Sequence, residues 1–141
     1  MLNVTERPLR LLRFDGGARS DSRVDRWFAE QETLLGALAK PCFEHMLGQG
    51  DDVRMLLHDG HPTACIGDAA FGYVNAFSKH VNVGFFIGAW LDDPSGLLEG
   101  QGKRMRHVKL QPSGGPIPDA VFDLIDQSYQ RVAALIRDGA L

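Results

Sequence analysis

Cysteine is nearly absent from this chain: only Cys42 and Cys65 occur, far apart and with no CxxC between them. Without that spacing they read as the buried small hydrophobes of a cytosolic protein rather than as a redox or metal motif. Long apolar runs are missing as well. The longest fall far short of the roughly 20 residues that cross a bilayer, so no transmembrane helix and no membrane partner are expected. In Met1–Phe14, Arg7, Arg10 and Arg13 interrupt the leucines. That breaks any signal-peptide core, and a cytoplasmic protein is expected. Charge of one sign is not in excess either, the formal net charge being -3. Nothing in that balance draws the molecule toward nucleic acid, so electrostatic binding would have to come from a local cluster. Internal repeats and low-complexity tracts are absent too.

What is present is an ordinary globular balance, 44% hydrophobic and 23% charged over 141 residues. A chain of this length makes one domain, which buries roughly 70% of the surface its unfolded form exposes. Residues 1–20 read as an extended or partly disordered arm, broken at Gly16-Gly17, and residues 21–141 as a single α+β domain. Ser22 with Asp25 suggests a capping box. Val24, Trp27, Phe28, Gln31, Leu34, Leu35 and Leu38 then follow helical spacing. Pro41 is expected to end or kink this helix, with a short turn at Cys42–Leu47 after it. A second helix is predicted over Asp119–Arg137, apolar along Phe122, Ile125, Tyr129, Val132 and Ile136. Its acidic start, basic end and Gly139 suit the helix dipole and a C-terminal stop.

Between the helices the period changes from helical to two. Val53–His58, Thr63–Gly67, Phe71–Phe77, Val81–Ile87 and Arg106–Leu110 read as short strands joined by turns. Short links demand antiparallel pairing, because a parallel crossover needs about a dozen residues. The expected architecture is therefore a meander of about four or five strands with the N- and C-terminal helices packed on one face.

The strand at Val81 divides the sheet's two faces. Val81, Val83, Phe85 and Ile87 should meet the helices, each burial stabilising by roughly 1.5–3 kcal/mol. His80, Asn82, Gly84 and Phe86 then point the other way. A two-residue loop at Ser78-Lys79 pairs Phe77 with His80 and puts Phe71, Tyr73, Asn75 and Phe77 on this open face; a three-residue loop would reverse them. The two-residue loop is preferred because it sets Asn75 opposite Asn82 and keeps both out of the core. A face mixing aromatics with Asn and His suits a dimer contact or a ligand platform.

Chemistry-bearing residues concentrate between His58 and Lys109. His58, His61, His80 and His107 lie there, without the strand or helix spacing of a metal site. Gly100-Gln101-Gly102-Lys103-Arg104-Met105-Arg106-His107 resembles a phosphate loop only in outline. The first glycine of that motif would fall on Leu97 and its hydroxyl residue on Arg104. What remains is a run of cations after two glycines, able to serve as an anion site or simply as a charged edge strand. Asp92-Asp93-Pro94-Ser95-Gly96 is explained by its turn chemistry alone. His45 has no apparent partner, and Ser78 and Ser95 show no pattern of an activated nucleophile.

The blocks Leu57–Gly60, Asp68–Phe77, His80–Phe86 and Gly102–Val108 resemble the YdhG-like bacterial family, a domain of unknown function. The resemblance runs from the first helix to the last and implies a frataxin-like α/β sandwich. Some members of that family are described as iron chaperones. The acidic ridge such a role would use is interrupted here, Asp21, Asp25, Glu30 and Glu32 alternating with Arg23 and Arg26.

The leading expectation is a non-enzymatic binding domain, a homodimer, taking an anionic small molecule or a protein through His80, Asn82, Lys103, Arg104, Arg106 and His107. No catalytic residues, cofactor or metal ligands are assigned. The alternative is iron handling, with His61, Asp92, Asp93 and the acidic residues of the first helix as weak ligands. A third reading, His80 or His107 as a general base, lacks a visible nucleophile or electrophile.

Overall fold

The computed structural model describes residues 10–141. The start of the arm, with Arg7, lies outside the described residues. Five strands form one antiparallel sheet in sequence order: β1 (Val53–His58), β2 (His61–Ile66), β3 (Ala69–Ala76), β4 (Val81–Phe85) and β5 (Arg106–Leu110). The β1–β2 link is shorter than the sequence suggests. His58 pairs with His61 across Asp59-Gly60 alone, and Pro62 is already in the strand. Both turn residues have positive φ, 51° and 79°, which is the hairpin conformation whose twist matches its strands.

Three helices cover one face: α1 (Ser22–Ala29), α2 (Thr33–Leu47) and α3 (Asp119–Arg137). The last has the bounds its periodicity predicts. The first two replace the single helix expected from Ser22 to Leu38. Asp21, not Ser22, caps α1, its side chain accepting from the Arg23 N–H. Glu32 then starts α2 anew, its carboxylate accepting from the N–H groups of Leu34 and Leu35. Pro41 does not end the helix but lies inside it. Both Pro41 and Ala37, whose carbonyl a proline ring leaves unbonded, are exposed, so water can satisfy that oxygen.

Val81, Val83, Phe85 and Ile87 point into the main core as expected, against Leu35, Leu38, Phe43, Met46, Val121, Leu124 and Ile125. Phe71 joins them, contrary to the alternation that sets it on the open face. In the β2–β3 ladder Ala64 pairs with Gly72 but Cys65 pairs with Ala70, so Phe71 is one residue too many. This bulge turns Phe71 inward, fully buried and edge-on to Tyr129 at 5.5 Å. The buried Ser128 hydroxyl of α3 donates to the Phe71 carbonyl at 2.7 Å.

The arm from Arg10 to Ser20 is an extended strap over the opposite face. It bonds to Asp68 and Ala70 near the start of β3, and Ala18 exchanges both backbone hydrogen bonds with Met55 on the outer edge of β1. In crossing, Phe14 stacks on the His58 ring at 3.8 Å and meets Phe86 edge-on. Leu56, Cys65, Ala70 and Phe86 make a second, smaller core under it.

Candidate binding face

Among the described residues, the strap covers the β1 side of this second face and leaves the β3–β5 side uncovered. The uncovered part is built by strand alternation. The register sets Asn75 opposite Asn82, Asn82 opposite Lys109, Tyr73 opposite Gly84 and Gly84 opposite His107. Since Val81, Val83, Val108 and Leu110 are buried in the main core, their neighbours His80, Asn82, His107 and Lys109 face outward. The Ser78-Lys79 loop is the two-residue form, closed by the Phe77 N–H donating to the His80 carbonyl at 2.8 Å. Phe77 and His80 then stack at 4.7 Å and 14° at the tip of the hairpin.

Gly84 makes the centre of this face possible. Tyr73 lays its ring across it, and a Cβ at Gly84 would collide with that ring. Tyr73 also meets Phe86 edge-on at 5.6 Å and His61 at 4.8 Å, and burial raises its hydroxyl pKa. Asn82 Oδ1 is enclosed without a hydrogen-bond partner among the described residues. Phe77, 45% exposed, is the apolar group most open to solvent here. Partial burial lowers the His80 pKa below its ordinary value; the nearby Lys109 and His107 lower it further, and Glu99 opposes them. Lys109 and Glu99, which pairs with His107 beyond the edge of β5, thus set opposite charges beside this face.

Of the six residues singled out from the sequence, His80, Asn82 and His107 come together here. The other three do not join them. Arg106 pairs with the core residue Phe85, so it leaves the sheet on the side opposite His107, and its guanidinium donates to the carbonyls of Gly102 and Met105. Arg104 donates to the carbonyl of Arg10 at 3.2 Å and so braces the strap. Lys103 is exposed on the loop before β5. Clustering along the chain thus does not become clustering in space, because the first half of the run is loop and the second half alternates. Lys109, which belongs to the basic run but not to those six residues, is the cation that stands on the face. Its signal was the alternation His107, Val108, Lys109, Leu110.

Several of the residues considered for iron are engaged otherwise. Asp93 accepts from the N–H groups of Leu97 and Leu98, and Asp92 pairs with Arg131 at 2.9 Å. Asp21 is held by Arg23, whose hydrogen bond keeps its carboxyl below the usual range. Among the described residues no three His, Cys, Asp or Glu side chains converge as metal ligands. A groove of about 210 Å³ lies on the helical side, between Asp92–Ser95 and the first turns of α3. His45 does have a partner: its Nε2 lies 2.6 Å from Asp126 Oδ1, which also accepts from Gln49. That contact joins α2 to α3 across 81 positions of sequence, beyond the reach of any local pattern. Cys42 and Cys65 are free and buried, each thiol pushed up to about 12 by burial. No helix among the described residues is long and apolar enough to cross a membrane.

No family model, no curated protein and no solved structure matches the chain.

Proposed function

We propose that this chain is a non-enzymatic binding domain whose uncovered sheet face receives an anionic group. One observation carries the reading: Tyr73, Asn75, Phe77, His80, Asn82, His107 and Lys109 stand on one face of β3, β4 and β5, with Lys109 and the hairpin-tip Lys79 as its cations. Aromatic rings beside hydrogen-bonding side chains and cations are the composition of recognition surfaces. The non-enzymatic half is supported by the thiols, which at about 12 remain protonated and poorly nucleophilic near neutrality. The YdhG-like resemblance belongs to the same proposal, since two of its blocks, Asp68–Phe77 and His80–Phe86, contain the hairpin that builds the face.

The test uses the thermal stability of the intact chain against a panel of anionic small molecules and polyacids. A bound ligand at a hundred times its Kd adds about 2.7 kcal/mol, enough to raise Tm by several degrees. The native chain is expected to respond to at least one member, and the Lys79→Glu/Lys109→Glu variant to lose that response. An equal rise in both proteins, or none with any member, removes the proposal.

A further inference from the structure

We infer that the strap, residues 10–20, is exchangeable, and that in a homodimer each copy's strap crosses over to dock on the other copy. The partner is thus a second copy of this chain, which supplies Leu11, Arg13 and Phe14 to the site. The strap's bonds are the first argument. Arg13 reaches Asp68 and the Ala140 carbonyl, the Leu11 N–H donates to Leu141, and Ala18 pairs with Met55. The Phe14 N–H donates to the Asp68 carbonyl, and the Leu12 carbonyl accepts from the Ala70 N–H. Among the described residues, none of its hydrogen bonds or ion pairs goes to α1, the helix that follows it. Every one of these partners is therefore presented equally well to the strap of another copy.

The connection to α1 is the second argument. Arg19, Ser20 and Asp21 link the last backbone-bonded strap residue, Ala18, to the first turn of that helix. Arg19 and Ser20 are exposed, and Arg19 makes an open 3.7 Å pair with Asp51. Short hinges of this kind invite exchange, since straightening one leaves each docked contact intact in the swapped form. A withdrawn strap also leaves a site that calls for a replacement. Its loss bares Leu56, Cys65, Ala70 and Phe86, empties the place of the buried Leu11, and frees backbone groups of Ala70 and Met55. Apolar surface beside unpaired strand edges recruits another chain. The segment that fits all of it is the strap's own sequence: Leu11 enters the main core, Arg13 meets Asp68, and Phe14 meets His58 and Phe86.

Two singly substituted full chains, Arg13→Cys and Ala69→Cys, test the inference when mixed at high concentration with oxidised glutathione. The two positions face each other across an antiparallel bridge, a spacing that a disulfide can span. The expected product is a covalent dimer holding one copy of each, with peptide mapping placing the bond between residues 13 and 69. Ala18→Cys mixed with Met55→Cys repeats the test at the other end of the strap, should the first pair fold poorly. Light scattering of the native chain should show a dimer fraction that grows with concentration. A Gly-Ser-Gly-Ser insertion after Ser20 relaxes the hinge, favours closure within one copy, and should weaken dimerisation about tenfold or more. A native chain that stays monomeric up to millimolar concentration overturns the inference. So does a dimer that forms neither cross-link, or one that the insertion leaves equally stable, because the copies then meet through another surface.

Discussion

His61 heads β2 with its ring against Tyr73 and its Nδ1 enclosed without a hydrogen-bond partner among the described residues. Burial holds its pKa below the ordinary histidine value; Asp59 opposes that shift and His58 adds to it. The folded state therefore takes up a proton less readily than the unfolded chain, and stability rises with pH between the two pKa values. The contribution of His61 is complete above an unfolded pKa of about 6.5 and is lost as pH falls through the lower folded value. In His61→Gln the acid side of the stability curve should flatten, as read by urea melts from about pH 7 downward. An unchanged slope in the variant would show that the loss comes from other groups. Histidines in this segment were legible from the sequence. Their sorting was not, because a β-strand reveals which residues share a face but not how deeply a neighbouring ring covers each one.

At the scale of elements the bulge in β3 has the widest consequence. It turns Phe71 into the core, while the unbroken β3–β4 register keeps Tyr73, Asn75 and Phe77 on the open face. Ser128 supports this arrangement from α3 by donating to the Phe71 carbonyl in a fully buried setting. Ser128→Ala should destabilise by about 1–3 kcal/mol, the cost of leaving a buried carbonyl unpaired. Chemical denaturation measures this directly, and a loss near zero would mean the bulge is held by the ladder alone. The α3 bounds could be read from sequence because stripe, charge order and Gly139 all agree. The α1–α2 break could not, since apolar spacing continues across Glu30–Glu32 while the Glu32 carboxylate caps a new helix. Strict alternation likewise hides a bulge, because the sequence of β3 does not say where the extra residue lies.

For the whole molecule, the strap decides how much of the second face is available. Phe14 lies over a patch of Leu56, Cys65, Ala70 and Phe86 that would otherwise be an apolar surface continuous with the binding face. Its anchors are spread out: Arg13 bonds Asp68 at 2.6 Å and the Ala140 carbonyl, and the Leu11 N–H donates to the Leu141 carbonyl at 2.7 Å. Phe14→Ala should cost about 1–2 kcal/mol, less than full burial of a phenylalanine because the ring is only partly enclosed. It should also open Cys65 to thiol reagents while Cys42, on the buried side of α2, stays protected. Labelling followed by peptide mapping reads the two sites separately. Equal acceleration at both would indicate general unfolding and remove the strap's specific role.

Local order in this chain determined a great deal: five strands by their period of two, the antiparallel meander by its short links, α3 by its stripe, and the hairpin that carries His80 and Asn82. These follow from interactions between residues a few positions apart, which a sequence displays directly. The content of the segment from His58 to Lys109 was settled only by the tertiary structure. Arg104 and Arg106 leave the face for backbone carbonyls, Lys109 stands on it and Phe71 turns inward. Each of these depends on a partner or a strand register set by packing, and the energy that selects it comes from groups distant in sequence. Chemistry in that segment is thus a property of one face of the sheet rather than of one stretch of chain.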